Sequence, residues 1–450
     1  MQAVATTKRA HARAIFKLGM PLILSNLAQY AIHMTDALML GWYSVSALAA
    51  VTLAGTFFFL TFIVGSGFAQ AITPLVAAAA ESGDDQQVRR ATRMGLWLSV
   101  IYGAVMMVPF FWAESFLIAI GQDPQVSALA QDYLYIVAFS MIPALLVMAF
   151  KSFLVALEHT AIILWSTIGT AILNGLLNYA LIFGNWGAPE LGIQGAAIAS
   201  LSLTTLNVVV LLIYALVRTP QFRLLQNVFA PDKEVMARVF ALGWPIGLTA
   251  LAEGGLFSAS AVMIGLLGPL PLAAHGIAIQ LASMTFMIHI GFSQAATVRA
   301  GRALGRRDEA GLRRGGIIVI AMSAVLAVLT MIIFLAVPEP LVSVFIDPEE
   351  PARDAVLALG ISFIAVAGLF QVVDALQVMA LGLLRGVQDT QVPMIMAAFS
   401  YWGIGLPVSY VLAFPLGLDG VGIWLGLVVG LSIAAVLLLW RFWARSVRIG

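Results

Sequence analysis

The sequence predicts an all-α integral membrane protein of twelve transmembrane helices. These form two parallel-repeat six-helix lobes related by a pseudo-two-fold axis along the membrane normal. Three observations predict it. Of the 450 residues, 61% are hydrophobic and only 10% charged, with a mean hydropathy of +1.00, whereas about a quarter of the residues of a soluble domain are charged. Basic residues collect at every second joint between the apolar segments. The stretch that opens the first segment recurs 224 positions later.

A segment of about 20 apolar residues is long enough to cross a bilayer. Such segments are expected at 14–40, 47–79, 92–118, 126–156, 161–184, 192–217, 235–265, 270–303, 313–337, 352–384, 390–415 and 420–443. Lys8, Arg9, Arg13 and Lys17 lead into the first; Arg89, Arg90 and Arg93 follow the second; Lys151 closes the fourth; Arg218, Arg223, Lys233 and Arg238 lie between the sixth and seventh. Arg299, Arg302, Arg306, Arg307, Arg313 and Arg314 lie between the eighth and ninth, Arg385 closes the tenth, and Arg441, Arg445 and Arg448 follow the twelfth. The joints on the other side carry Glu114, Asp123, Glu190, Glu339, Asp347, Glu349, Glu350, Asp354 and Asp419, with Arg353 as their only base. One missed span would scramble this alternation. The positive-inside rule puts both termini in the cytoplasm, with the chain in the plasma (inner) membrane. No small-residue cleavage pattern follows the basic N-terminal run, so no removable signal peptide is expected. Without cysteine there are no disulfides and no thiolate metal sites, and no Gly-x-x-x-x-Gly-Lys-Ser/Thr loop is present to hold a nucleotide phosphate.

Phe16, Gly19, Pro21 and Gly41 reappear as Phe240, Gly243, Pro245 and Gly265, and Gly67-Phe-Ala-Gln-Ala71 as Gly291-Phe-Ser-Gln-Ala295. Six spans separate the copies, so both enter the membrane in the same direction. The expected domains are an N-terminal lobe at 1–217, a cytoplasmic linker at 218–234 marked by Pro220 and Pro231, and a C-terminal lobe at 235–450. Fainter echoes pair Ala156-Leu-Glu-His-Thr160 with Gly386-Val-Gln-Asp-Thr390, and Leu191-Gly-Ile-Gln-Gly195 with Leu418-Asp-Gly-Val-Gly422. Pro21 and Pro245 fall near the start of a predicted span, where a missing N–H is tolerated, and read as helix initiation ahead of the alternative, a moving hinge.

Three carboxylates fall well inside spans: Asp36, Glu253 and Asp374. A charge at the bilayer centre costs about 2.5 to 3.5 kcal/mol on insertion scales, so each is expected to face protein or water and to serve function. Lys151 and Arg385 lie near span ends, which leaves the acids without an intramembrane basic partner, and Lys151 is expected to snorkel to the interface. An unpaired buried acid either takes a proton or holds a cation, and both suit coupling to an ion gradient. Asn26, Gln29, His33 and Asp36 share one helical face; Thr249, Glu253 and Ser260 share another; Gln371, Asp374 and Gln377 a third; and Thr167, Thr170, Asn174 and Asn178 a fourth. Polar stripes on membrane helices point inward, so these residues are expected to line a cavity or to join helices. For His33 an interhelical hydrogen bond is expected. His33, His275 and His289 are too scattered for a transition-metal site.

The paired Gly-x-Pro starts resemble the multidrug and toxic compound extrusion (MATE) family, as do Asp36 in Met-Thr-Asp-Ala-Leu-Met-Leu-Gly, the Gly67-Phe-Ala-Gln70 and Gly291-Phe-Ser-Gln294 ends, Glu253, and Asp374 in Phe-Gln-Val-Val-Asp-Ala-Leu-Gln. The likeness covers essentially the whole chain and is strongest to the NorM-like branch. It implies a membrane antiporter, not an enzyme, with no cofactor beyond the coupling ion Na⁺ or H⁺. Its expected partners are small cationic or amphipathic drugs and the lipid bilayer, with no nucleic acid, and the chain is expected to act as a monomer. It also implies ion coupling by Asp36 with Asn174 and Asn178, and by Glu253 with Asp374, where Na⁺ is a possible ligand. Where some NorM-like members have a tyrosine one turn before the tenth-helix acid, this chain has Phe370, which removes one oxygen from a Na⁺ site; where other branches have a second acid in the fifth helix, it has Asn178. A lipid-linked oligosaccharide flippase can share the two-lobe plan, but it would call for basic residues in the cavity to pair with pyrophosphate.

Overall fold

The computed structural model describes residues 8–449, so the predicted lobe ends at 1 and 450 lie outside the described residues. Twelve helices are long and apolar enough to cross a membrane, and the described residues contain no strand. They are α1 (Arg9–Tyr43), α2 (Val45–Glu81), α3 (Asp85–Ala119), α4 (Pro124–Ala156), α5 (Thr160–Phe183), α6 (Gly192–Arg218), α7 (Lys233–Gly265), α8 (Pro269–Arg306), α9 (Glu309–Ala336), α10 (Arg353–Gly386), α11 (Gln391–Ala413) and α12 (Asp419–Ser446). Each predicted span falls on one of them.

The largest differences are at polar helix starts. α3 begins at Asp85 and α9 at Glu309 because Asp84 and Asp308 cap them. Their carboxylates accept the backbone N–H of Gln87 and of Gly311, both at 2.8 Å, and so satisfy donors that a helix start leaves orphaned. Apolarity marks the stretch suited to lipid, whereas the cap marks where the helix begins.

The reading of Pro21 and Pro245 as helix starts is overturned. Both lie inside their helices, α1 and α7. Each therefore removes an i→i−4 hydrogen bond, which membrane helices tolerate when neighbouring groups satisfy the freed carbonyl. The chain forms two compact units, one made of residues up to Ile23 together with Leu248–Gly450, the other of Leu24–Gly247. Each division falls two residues past one of these prolines, and the two divisions keep the 224-residue spacing of the repeat.

Close helix crossings explain which glycines recur. In the first unit a side chain at Gly19 would strike Phe292, and one at Gly291 would strike the backbone of Ile23. In the second unit the repeat-related Gly243 meets Phe68, and Gly67 meets the backbone of Gly243 and Gly247. The shared motif residues thus make one contact twice, once within each unit.

Backbone conformation carries the repeat further than the sequence echoes suggest. Three pairs of left-handed residues stand at matching positions: Gly83 (φ 77°) with Arg307 (φ 55°), Glu158 (φ 63°) with Gln388 (φ 63°), and Gly192 (φ 52°) with Asp419 (φ 47°). The first pair precedes the equivalent caps Asp84 and Asp308 and the equivalent pairs Arg89-Arg90 and Arg313-Arg314.

The joint between α6 and α7 is tied down within the second unit. Arg90 on α3 holds Asp232 through Nε at 2.5 Å and Nη2 at 3.2 Å. Arg93 Nη1 donates to the carbonyl of Asn227 at 3.0 Å, and Trp97 Nε1 to that of Val228 at 2.8 Å.

Candidate ion and substrate sites

In the second unit, α1 and α5 bring Asp36, Asn174 and Asn178 together. Asn174 and Asn178, one turn apart, are buried. Asn178 Nδ2 donates to Asp36 Oδ1 at 2.6 Å and lies 3.4 Å from Asn174 Oδ1, and Asn174 also hydrogen-bonds Asp36. The carboxylate therefore receives amide donors, which hold a negative charge without neutralising it. Asn178 Oδ1 is left buried with no partner. Two further hydroxyls join this group: Tyr133 on α4 lies within electrostatic range of Asp36 and hydrogen-bonds Ser200 on α6. Neither belongs to a polar stripe, and a lone tyrosine in an apolar span was the only signal that could have found it.

The rest of the predicted α1 and α5 faces divides. Asn26 and Gln29 are half-buried, and Asn26 Nδ2 has no hydrogen-bond partner. His33 is exposed and lies in electrostatic range of Asp36. The expected interhelical bond for His33 is not made among the described residues. Ser25, off the stripe, joins α1 to α5 through Thr167 at 2.9 Å. Thr170 spends its hydroxyl on the carbonyl of Ser166 in its own helix, at 2.8 Å.

The first unit holds Glu253 on α7 and Gln371, Asp374 and Gln377 on one face of α10. The three α10 residues are buried. Gln371 Nε2 donates to the carbonyl of Ala282 at 3.0 Å, and Gln377 Nε2 donates to the Tyr401 hydroxyl at 2.6 Å. Those bonds commit the amide nitrogens and leave the amide oxygens free. Four buried acceptors consequently lack a donor: Glu253 Oε1, Gln371 Oε1, Asp374 Oδ1 and Gln377 Oε1. Each such group costs about 1 to 3 kcal/mol while unmatched. Glu253 and Asp374 lie in electrostatic range of each other, and Tyr401 in range of both. An all-oxygen set suits a proton or a hard cation. Among the described residues no three His, Cys, Asp or Glu side chains converge as a metal cluster.

Several predicted neighbours stand apart from this oxygen set. Ser260 donates to the carbonyl of Phe257 in its own helix at 2.8 Å, while Thr249 is buried. His289 pairs with Ser323 at 2.8 Å, and His275 packs edge-on against Trp424 at 5.6 Å. Phe370 packs edge-on against Phe257 at 5.8 Å and Trp424 at 5.7 Å, so this position is part of an aromatic cluster. The phenol enters instead from Tyr401, which lies in a π-helical stretch, Phe399–Gly405. Such wide turns shift helical register and recur at functional sites; apolar periodicity carries no trace of them.

Arg385 lies at the C-terminal end of α10, near the span end as expected, and Glu253 and Tyr401 lie within its electrostatic range.

Comparison with known proteins places the chain in a family. The MatE family model matches residues 21–180 and 245–411, one segment in each repeat, starting at Pro21 and Pro245. The "Probable multidrug resistance protein NorM" of Rhizobium meliloti (strain 1021) is 45% identical over 96% of this chain and 93% of its own length. That of Agrobacterium fabrum (strain C58) is 43% identical over 96% and 94%. Two solved structures share the fold at lower identity. A MATE protein crystallised in the bent conformation has a TM-score of 0.89 at 17% identity, over 100% of this chain and 97% of its own; the eukaryotic MATE transporter AtDTX14 has 0.84 at 21%, over 98% and 99%. With both repeats matched and relatives this similar along nearly its whole length, the chain belongs to the MatE family.

Proposed function

We propose that this protein is a multidrug efflux antiporter that exports cationic or amphipathic compounds in exchange for inward Na⁺ or H⁺ by alternating access. Its relatives are named as multidrug resistance proteins, which supports drug export. The observation that carries ion coupling is the set of four buried oxygens without donors on Glu253, Gln371, Asp374 and Gln377. A proton or Na⁺ at Glu253 or Asp374 gives an orphaned carboxylate oxygen its partner and neutralises that acid. Asp36, already held by two amides, is the acid of the second unit, and a cationic drug is the complement to its charge. A ligand shifts a two-state equilibrium only by its differential affinity for the two states, so ion and drug must favour opposite-facing forms. An acceptor-rich site does not suit pyrophosphate, so the flippase reading finds no support here. The same reading keeps the arginine-rich side and both termini in the cytoplasm, the protein in the plasma (inner) membrane, and one chain as the working unit.

The test is efflux of a cationic dye from vesicles holding the purified protein, with Na⁺ and pH gradients imposed separately. Glu253→Gln, Asp374→Asn and Asp36→Asn are each expected to lower gradient-driven efflux at least tenfold while the protein still inserts. Efflux at wild-type rate from all three, or efflux indifferent to both gradients, would sink the reading.

A further inference from the structure

We propose that Tyr401 is a positioning residue that fits the oxygen set of the first unit for Na⁺ and not for a proton alone, by holding the Gln377 amide so that its oxygen stays available as a ligand. The proposal rests on the ion-coupling reading above and adds to it the group that decides between the two ions.

Contacts between named atoms carry it. Spans alternate in direction, so α7 and α10 run antiparallel, and they meet where Phe257 packs edge-on against Phe370 at 5.8 Å. Glu253 lies one turn before Phe257 and Asp374 one turn after Phe370, which sets the two acids at one level, on the same side of that contact. At this level the π-helical stretch of α11, Phe399–Gly405, touches both helices. Trp402 Nε1 donates to the carbonyl of Ala252, the residue before Glu253, at 3.0 Å, and a side chain at Gly255 would strike the Trp402 ring. Its neighbour Tyr401 is fully buried, and the Tyr401 hydroxyl accepts from Gln377 Nε2 at 2.6 Å. Gln377 follows Asp374 by three residues and so shares its face of α10. Consecutive residues of one wide turn thus grip α7 and α10 beside the two acids.

The bond commits the amide nitrogen to the phenol. It leaves Gln377 Oε1 buried without a donor, in the same condition as Glu253 Oε1 and Asp374 Oδ1. An amide that loses this anchor is free to turn over and present its N–H groups instead, and a donor paired with a carboxylate closes that oxygen to a cation. A proton needs one carboxylate oxygen. A hard metal cation is held by several oxygens at once, and an amide oxygen adds a ligand without adding charge. The tyrosine therefore bears on Na⁺ and not on H⁺: freeing the amide takes an oxygen from Na⁺, while both carboxylates can still be protonated. A phenol suits the task because its ring packs in apolar surroundings and its hydroxyl still makes the bond.

The experiment measures the two ions separately on the purified full-length protein in lipid nanodiscs at constant ionic strength. Na⁺ is read by equilibrium binding of radioactive Na⁺, and H⁺ by the pH dependence of tryptophan fluorescence without Na⁺, for which Trp402 is a native reporter beside Glu253. Tyr401→Phe, which removes one oxygen atom, is expected to raise the half-saturating Na⁺ concentration about tenfold and to leave proton affinity within about twofold. Gln377→Leu is expected to give the same split. The double variant should lose no more than Gln377→Leu alone, because the phenol acts through the amide. Tyr410→Phe removes the hydroxyl of an exposed tyrosine on the same helix and is expected to change neither ion. Should Tyr401→Phe fail to fold, Gln377→Leu must show the split by itself for the proposal to stand. Wild-type Na⁺ binding in Tyr401→Phe overturns it, as do equal losses of both ions or losses that multiply in the double variant. A wild-type protein that responds to H⁺ but binds no Na⁺ also overturns it and leaves ion coupling standing. No response to either ion overturns the ion-coupling reading itself.

Discussion

Asp36 and the pair Glu253–Asp374 are all acids inside spans, but their surroundings prepare them for different tasks. Asp36 receives amide N–H groups from Asn174 and Asn178, whereas Glu253 Oε1 and Asp374 Oδ1 receive none. The amides stabilise a charged Asp36. Hydrogen bonds to a charged group contribute about 1.5 to 3 kcal/mol, and a tenfold change corresponds to about 1.4 kcal/mol. Asn178→Ala is therefore expected to lower dye efflux at least tenfold, while Thr170→Ala, whose hydroxyl bonds its own helix, stays within about twofold. Equal efflux from the two variants in the same vesicle assay would show that the amide does not matter. The acids and asparagines were legible in the sequence because a charge or a one-sided polar stripe inside a span is costly unless it faces inward. Tyr133, Ser200 and Tyr401 were not. Each is a single residue whose importance comes from what another helix places beside it, and hydropathy does not record that.

At the scale of elements, the glycines separate into those that permit a helix crossing and those that merely sit in a helix. Gly67 and Gly55 are both on α2. A side chain at Gly67 would press into the backbone of Gly243 and Gly247, whereas nothing lies within 4 Å of one at Gly55. Alanine favours a helix interior over glycine by up to about 1 kcal/mol, and overpacking a close contact costs about 1 to 3 kcal/mol. Gly55→Ala is expected to hold or raise the melting temperature of the purified protein, and Gly67→Ala to lower it by several degrees. A Gly67→Ala protein as stable as wild type would refute the close crossing. Helix number and order were legible because each span announces itself by length and apolarity. Most helix starts coincide with the edge of the apolar run, whereas α3 and α9 begin upstream of it, at the caps Asp84 and Asp308. Pro21 and Pro245 misled because a rule for the first turn of a helix was applied to prolines that lie well inside α1 and α7.

At the scale of the whole chain, duplication is visible in the sequence, in the paired left-handed residues and in the 224-residue spacing of the unit divisions. The joint between the halves has no equivalent elsewhere, and its polarity marked it as a cytoplasmic linker without showing what holds it. Asp232 argues otherwise. The Arg90 guanidinium, hydrogen-bonded to its carboxylate, holds Asp232 below its ordinary value of 3.8, with partial burial opposing and the N–H of Val235 assisting. A carboxylate with a depressed folded value contributes stability that is fully present above its ordinary value and is lost as pH falls through the folded one. The anchoring of residues 219–232 is therefore expected to be constant from pH 8 to 5 and to fail only below about pH 4. Removing the charge should reproduce that loss at neutral pH. Asp232→Asn and Arg90→Gln are each expected to speed trypsin cleavage at the exposed Arg223 about tenfold at pH 7, in line with the loss of a charge-assisted pair worth about 1.5 to 3 kcal/mol. Amide hydrogen exchange across 219–232, corrected for the intrinsic pH dependence of exchange, supplies the acid arm. Protection that falls between pH 7 and 5 in wild type, or cleavage of Asp232→Asn at the wild-type rate, would mean that the pair does not hold the joint. The bonds from Arg93 to Asn227 and from Trp97 to Val228 would then have to anchor it alone.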